Sequence, residues 1–126
     1  MKINESAENY LETILILSRR QPQVKSIDVA KVLGFTKPSV SVAMKNFRAN
    51  GLISMDKYNN IFLTEKGLEI AEKVYEKHVS ITEWLVFLGV DYKTATEDAC
   101  RIEHILSAES FEAIKKYIAN TTTKPQ

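Results

Sequence analysis

Signals that end and begin helices stand close together between residues 26 and 51, and they constrain the fold more than any other feature. Gly34 suits the left-handed position that ends a helix. Thr36 is a good cap for a following helix, and Pro38 would lie in its first turn, where a proline is tolerated. A second helix-ending signal follows at residues 50–51. The pattern predicts two short helices joined by a glycine-containing turn, which is a helix-turn-helix.

The second predicted helix has two faces of different character. Val40, Met44 and Phe47 recur at helical spacing, which predicts a buried face. The other face holds small and basic residues near the start of the helix, where a recognition helix meets bases and phosphates. The candidate DNA-binding residues belong to this face or its start, with one lysine from the next segment: Thr36, Lys37, Pro38, Ser39, Ser41, Lys45 and Lys57.

Two strand-like runs follow at residues 52–58 and 61–64, on either side of Asn59 and Asn60. An asparagine pair tolerates the positive φ of a tight hairpin. A helix-turn-helix followed by a β-hairpin is the winged arrangement, which makes double-stranded DNA the leading partner. The alternative is a winged helix that is used only for protein contacts.

The charges are unevenly distributed, although the net charge is only +1. Residues 19–57 hold eight basic and two acidic side chains, whereas the rest of the chain holds nine basic and fourteen acidic ones. A basic segment within an otherwise acidic chain is typical of a module that binds a polyanion. A lysine-rich solvated surface is the alternative that charge alone leaves open.

Several classes of protein are disfavoured by the composition. The N-terminus has no apolar core of a signal peptide, and no apolar run approaches the roughly 20 residues that span a bilayer. A single cysteine excludes an internal disulfide and fits a reducing compartment. The sequence therefore predicts a cytoplasmic protein without a membrane partner.

The segment Cys100-Arg101-Ile102-Glu103-His104 is the strongest candidate for a metal site. In a helix, Cys100, Glu103 and His104 share one face, so their side chains would converge on one ion. Thiolate, carboxylate and imidazole suit a divalent transition metal. The plainer alternative is a small buried cysteine beside a solvated Glu-His pair. His78, which lies on an apolar stripe, is by itself best interpreted as a core histidine.

Apolar residues at helical spacing predict further helices: residues 6–19 with Ser6 as the N-cap, about 64–88, about 92–106, and a last one that holds Phe111. The long helix exceeds what one small domain would cover, which together with the usual symmetry of helix-turn-helix proteins predicts a homodimer. The predicted fold class is mainly α, with an N-terminal winged helix-turn-helix DNA-binding domain at 1–64, a helical metal-binding and dimerisation domain at 65–119, and a flexible tail at 120–126.

This order of elements, with five matching segments, resembles the diphtheria-toxin-repressor family of iron- and manganese-dependent transcriptional regulators. The segments are residues 98–107, which include the Cys-x-x-Glu-His motif, 8–14, 34–41, 63–67 and 77–78. The resemblance covers residues 5–119. Its Cys-x-x-Glu-His motif is quite specific, whereas its helix-turn-helix is generic to winged regulators.

The resemblance implies a non-enzymatic, metal-activated repressor that binds a palindromic operator as a homodimer, with Fe²⁺ or Mn²⁺ as cofactor. It also implies the short form of the family, without the SH3-like C-terminal domain. Cys100, Glu103 and His104 match the principal metal site. His78 matches a ligand from the long helix, and Glu12 matches the glutamate that manganese-type members supply from the first helix.

The ligand set implied by the resemblance is a hybrid. Cys100 is the iron-type choice, whereas Glu12 is the manganese-type choice. Asn9 stands where iron-type members have methionine and manganese-type members have aspartate, and its amide oxygen is a weak ligand, expected to coordinate poorly or through water. Thr82 and Thr96 replace ligands of the ancillary site of iron-type members, so that site is predicted to be absent.

Two other functions remain open at this point. The first is a winged-helix regulator without a metal site, in which His78 and Cys100 are core residues and the signal is thiol oxidation or an organic effector. The second is a metalloenzyme that uses Cys100, Glu103 and His104. The sequence offers no acid/base partner for such a catalytic site.

Overall fold

A computed structural model describes residues 2–122 of the chain, and within that range it contains six helices and one two-stranded sheet. The elements in chain order are α1 (Glu5–Arg20), α2 (Ser26–Leu33), α3 (Lys37–Ala49), β1 (Ile53–Met55), β2 (Ile61–Leu63), α4 (Glu65–Phe87), α5 (Tyr92–Ile105) and α6 (Ala108–Thr122). The prediction of a mainly α fold with an N-terminal winged helix-turn-helix is confirmed.

The chain divides into two compact units, Met1–Lys73 and Val74–Gln126. Helix α4 contributes residues to both units. The domain boundary predicted between residues 64 and 65 stays a prediction. Helix α6 continues to Thr122, and residues 123–126 of the predicted tail lie outside the described residues.

Local signals explain where α1 and α3 begin and where α2 ends. The Asn4 side chain accepts a hydrogen bond from the Ala7 amide at 2.9 Å, so the N-cap predicted at Ser6 is wrong, because asparagine caps equally well two residues earlier. Gly34 adopts a φ of 70° at the end of α2. Thr36 Oγ1 accepts from the Ser39 amide at 3.3 Å and caps α3. The glycine stop and the threonine cap are therefore confirmed.

The core of the N-terminal unit is built on the inner face of α3. Val40, Met44 and Phe47 are all at most 2% exposed. Tyr10 of α1 lies edge-on to both Phe35 and Phe47, with ring centroids 5.6 Å apart in each pair. Burial raises the pKa of Tyr10 above its ordinary value. The helical spacing of α3 thus predicted its buried face correctly.

The wing is a short antiparallel hairpin of three-residue strands, in which Ser54 pairs with Phe62. Its strands are shorter than predicted because Asp56 begins a turn. The Asp56 carboxylate accepts hydrogen bonds from the amides of Tyr58 and Asn60, both at 2.9 Å. Asn59 has a φ of 66°, as expected for an asparagine in a tight turn.

The Asp56 carboxylate is expected to hold the wing turn in place at neutral pH. The side-chain and backbone hydrogen bonds from Asn60 lower its pKa below the ordinary value. A lowered folded-state pKa means that this stabilisation is present above the unfolded-state pKa and is lost as the pH falls through the folded-state pKa. We predict that Asp56→Ala speeds amide hydrogen exchange at Tyr58 and Asn60 at neutral pH, as measured by NMR.

Ser54→Ala, at an exposed position of the same wing, is the matched control and should leave both exchange rates unchanged. In the unsubstituted protein the same amides should lose their protection as the Asp56 carboxyl carbon titrates. Protection that persists after this carboxylate is protonated or removed would contradict the prediction.

The C-terminal unit has its own small core, made by one residue from each of its three helices. Ile81 of α4, Ala99 of α5 and Phe111 of α6 are buried together, with Leu85, Ile102 and Leu106 packed against them. Asp91 starts α5 by accepting hydrogen bonds from the amides of Lys93 and Thr94. None of the helices in residues 2–122 is long and apolar enough to cross a membrane.

Candidate metal centre and DNA-binding surface

Helix α5 brings together the three residues of the Cys-x-x-Glu-His motif. Cys100, Glu103 and His104 each offer one ligand atom, and these atoms lie within 4.8 Å of one another. The spacing of three and four residues places them on adjacent turns of one helix face, as the sequence predicted. The cluster includes the sulfur, oxygen and nitrogen donors that transition metals bind.

Glu103 is the centre of this cluster. Its side chain is completely buried. One carboxylate oxygen, Oε2, lies 3.0 Å from Nδ1 of His78, which α4 supplies. The other oxygen, Oε1, lies 3.3 Å from Nε2 of His104. The structure therefore places His78 beside the motif on α5, so that three candidate donors, from Cys100, His104 and His78, surround one buried carboxylate.

The electrostatics of Glu103 favour a cation at this position. Burying a carboxylate is costly unless opposite charge and hydrogen bonds compensate. Glu103 Oε1 is buried and accepts no hydrogen bond from residues 2–122, although His104 Nε2 is close. The side chains of His104 and His78 are 1% and 22% exposed. Two imidazoles, one thiol and this carboxylate fit a divalent transition ion.

Contacts of the two residues that precede His78 hold α4 against the end of α5 and against α6. The ammonium group of Lys77 lies 3.5 Å from the Leu106 carbonyl oxygen, and 6.0 Å from the centre of the Phe111 ring. Glu76 forms an ion pair with Lys115 of α6, which raises the pKa of Lys115. These contacts were not predicted from the sequence, because local patterns give no information about residues that are 29 or 39 positions apart.

The remaining predicted metal residues lie elsewhere. Glu12 and Asn9 belong to α1 in the N-terminal unit, where Glu12 is only 6% exposed and Asn9 is half-buried. Their role as ligands stays a prediction. Thr82 is buried on α4, and Thr96 donates its hydroxyl proton to the Tyr92 carbonyl oxygen. The predicted absence of an ancillary site also stays a prediction.

All seven candidate DNA-binding residues are exposed in the N-terminal unit: Thr36, Lys37, Pro38, Ser39, Ser41, Lys45 and Lys57. At the wing, Lys57 lies over the Tyr58 ring, 5.1 Å from its centre. Lys25 donates a hydrogen bond to the Tyr58 carbonyl oxygen at 3.1 Å. Val42 of α3 is also exposed. It was not among the residues predicted for the outer face of this helix, because only small polar and basic residues were considered there.

A winged helix-turn-helix with a basic outer face, followed by a helical unit with clustered metal-ligand atoms, defines a class of metal-dependent DNA-binding regulators. Residues 2–61 match the N-terminal DNA-binding domain of iron-dependent repressors. Residues 64–126 match the metal-binding and dimerisation domain of the same proteins. The chain belongs to the iron-dependent repressor family, whose members are metal-dependent transcriptional regulators and not enzymes. The predicted family resemblance is confirmed.

Two relatives are similar over most of their length. An uncharacterised HTH-type transcriptional regulator of Methanocaldococcus jannaschii is 39% identical over 118 residues, which are 92% of this chain and 94% of the relative. The transcriptional regulator MntR of Escherichia coli is 32% identical over 113 residues, which are 90% of this chain and 73% of MntR. Each aligned stretch is long enough to include most of both units.

Solved structures support the same fold. The manganese regulator SloR superimposes with a TM-score of 0.77 at 29% identity, over 94% of this chain. The chain spans about half of the length of SloR, 54%. A hypothetical protein of Sulfolobus solfataricus shares the fold with a TM-score of 0.69 at 22% identity, over 93% of this chain and 90% of its own.

Proposed function

We propose that the chain is a homodimeric repressor that binds a palindromic operator when Fe²⁺ or Mn²⁺ is bound by Cys100, Glu103, His104 and His78. The observation on which this proposal mainly rests is the completely buried Glu103 carboxylate, within reach of both imidazoles. The match of residues 64–126 to a metal-binding and dimerisation domain supports a metal site in this part of the chain.

The roles of the proposed ligands follow from their chemistry. Cys100 binds as a thiolate, Glu103 provides negative charge, and the two histidines bind through neutral ring nitrogens. A bound divalent ion supplies the positive charge that offsets this buried carboxylate. Since Glu103 already contacts His78, the structure of α4 and α5 orients two donors in advance.

We propose Glu12 as a further ligand, because its buried carboxylate on α1 offers an oxygen donor of the kind that divalent transition ions bind. Asn9 is expected to contribute weakly or through water. If Glu12 completes the site, ligands from α1 and from α5 share one ion, and metal binding favours the arrangement of the chain in which both reach it. That differential affinity is the proposed link between metal and DNA binding.

The DNA-binding step uses the exposed start of α3 and the wing. Lys37, Lys45 and Lys57 are exposed and are proposed to contact phosphates, while the exposed Ser39 and Ser41 are small enough for close approach to the bases. A two-fold dimer would present two such helices about 34 Å apart, which matches successive major grooves on one side of the duplex. A palindromic operator follows from that symmetry. The proposed location is the cytoplasm, where bacterial and archaeal DNA is found.

We predict that Cys100→Ala and His104→Ala each abolish the metal response without unfolding the protein. Operators are first selected from random double-stranded DNA with Mn²⁺-loaded and, anaerobically, with Fe²⁺-loaded protein. Fluorescence anisotropy then measures the affinity of each variant with and without metal, and circular dichroism checks the fold. Loss of one ligand should weaken metal binding by more than about 10-fold, because loss of a group that only hydrogen-bonds a ligand already weakens metal binding by about that factor.

Arg101→Ala, an exposed neighbour on the same helix, is the control and should keep its metal response. A full metal response in the Cys100→Ala or His104→Ala variant would show that the ligand assignment is wrong. If DNA binding instead ignored metal and were lost with peroxide and regained with reductant, the function would be thiol sensing.

Lys57→Ala is expected to weaken binding to all DNA sequences by a similar factor. The residue is exposed at the wing, and its proposed role is to contact a phosphate. Removing one phosphate contact should reduce the slope of log affinity against log salt concentration by about one unit. Lys116→Ala, an exposed lysine of α6, should leave the slope unchanged. An equal slope in Lys57→Ala would exclude a phosphate contact from this side chain.

A further inference from the structure

Val42 is an exposed aliphatic residue on the outer face of α3, in the second turn of the helix. It is 61% exposed, whereas Val40, Met44 and Phe47 of the same helix are buried. With 100° between successive residues, Val42 lies on the side of α3 opposite to this buried stripe. Its methyl groups therefore point away from the core of the N-terminal unit.

The surroundings of Val42 are polar and basic. Pro38 lies one turn before it and Lys45 one turn after it on the same face, and both are exposed. Ser39 and Ser41 are exposed on its two flanks. A single exposed valine is ordinary on a protein surface. Val42, however, is the apolar centre of a face that is otherwise suited to binding a polyanion. This face belongs to residues 2–61, which match a DNA-binding domain.

We propose that Val42 determines operator specificity by contacting the C5-methyl group of a thymine in the major groove. Thymine is the only base of DNA with a methyl group there, and small apolar side chains recognise it by contact. Valine has no hydrogen-bonding group, so it cannot recognise guanine, adenine or cytosine through their polar edges. This inference rests on the proposed function, since it assumes an α3 that enters the major groove.

The size of the effect follows from the burial of one methyl group. Removing a methyl group from a closely packed apolar contact weakens binding by about 4-fold. In a two-fold operator the same thymine occurs once in each half-site, so removal of both methyl groups should cost about 15-fold. An effect of this size is well within the range of an anisotropy titration.

The test combines a protein substitution with a DNA substitution. Deoxyuridine replaces each symmetric pair of thymines in the selected operator, which removes only the methyl groups and keeps the base pairing. The unsubstituted protein, loaded with Mn²⁺, should lose about 15-fold in affinity at one such pair. Val42→Ala should bind the thymine operator more weakly and should show no further loss with deoxyuridine at that pair.

Val32→Ala is the matched control, because Val32 of α2 is a valine of similar exposure, 59%, outside the α3 face. It should keep the full sensitivity to deoxyuridine. If binding is sequence-specific but no deoxyuridine pair lowers the affinity, the proposed role of Val42 is wrong. The same follows if Val42→Ala still shows the full loss of affinity with deoxyuridine. Neither result would affect the proposed operator binding. If random DNA yields no preferred sequence, the proposed operator binding and this inference both fail.

Discussion

Glu103→Gln is expected to abolish metal-dependent DNA binding while the metal-free protein stays folded. Glutamine has nearly the same shape as glutamate and can still meet His78, but it lacks the charge and is a weak metal ligand. Because Glu103 is completely buried and lies near both imidazoles, the substitution removes the central donor of the cluster. We expect metal affinity to fall by more than about 100-fold.

Two measurements test this substitution together. In the unsubstituted protein, free metal at 100 times the dissociation constant should raise the free energy of unfolding by about 2.7 kcal/mol. At the same metal concentration, Glu103→Gln should show almost no increase, and its operator binding should be insensitive to metal. Its metal-free unfolding free energy should not fall, since a buried charge has been replaced by a neutral group.

Glu97→Gln, an exposed position of the same helix, makes the same chemical change outside the cluster and should retain the metal effect. If Glu103→Gln destabilised the metal-free protein and kept its metal response, Glu103 would be a structural partner of His78 rather than a ligand.

Gly67→Ala is expected to destabilise the N-terminal unit strongly. A Cβ atom at Gly67 would lie 2.0 Å from the Leu52 carbonyl oxygen, far inside van der Waals contact. The obstacle is backbone, so rotation of a side chain cannot relieve it. Overpacking of this kind costs about 3 kcal/mol, and more where the backbone cannot move. The better helix propensity of alanine offsets only about 1 kcal/mol of that cost.

The backbone around Gly67 is fixed by hydrogen bonds. Thr64 donates its amide proton to the Leu52 carbonyl oxygen at 3.1 Å and its hydroxyl proton to the Gly51 carbonyl oxygen at 2.7 Å. The same hydroxyl oxygen accepts from the Gly67 amide at 3.1 Å. The first turn of α4 therefore cannot shift away from Leu52 without losing several of these bonds.

Chemical denaturation, followed by circular dichroism, measures the expected loss in Gly67→Ala. Lys66→Ala is the matched control on the same turn, and its exposed side chain should change the free energy of unfolding by no more than about 0.5 kcal/mol. Equal stability of Gly67→Ala and the unsubstituted protein would show that α4 does not approach Leu52 this closely.

The helix-turn-helix was predictable because its signals are local. Gly34 and Thr36 each determine a helix end through their own conformation or hydrogen bond, without reference to distant residues. The N-cap of α1 was not predictable, because Asn4 and Ser6 are equally good caps and only the folded chain distinguishes between them. The two strands were predicted, but the first is shorter than expected, since the Asp56 turn depends on a side chain that accepts hydrogen bonds from two amides.

The candidate metal centre was predictable in part. Cys100, Glu103 and His104 are neighbours on one helix, so spacing alone groups them. His78 is 25 residues from Glu103, and its apolar setting pointed to a core histidine; only the family resemblance related it to the motif. The exposure of Val42 was predictable from helical spacing, which places it opposite Val40 and Met44, but only small polar and basic residues were considered for the outer face of α3.

Control of DNA binding by metal at the α4–α5 cluster is the main property proposed for this protein. Its most direct test is an anisotropy titration of the selected operator with chelator-treated protein, repeated after addition of Mn²⁺ and, under anaerobic conditions, of Fe²⁺. We predict that at least one ion tightens binding by between about 5- and 150-fold, the usual range for coupled sites, and that chelator reverses the effect. Equal affinity with metal and with chelator would show that metal does not control DNA binding.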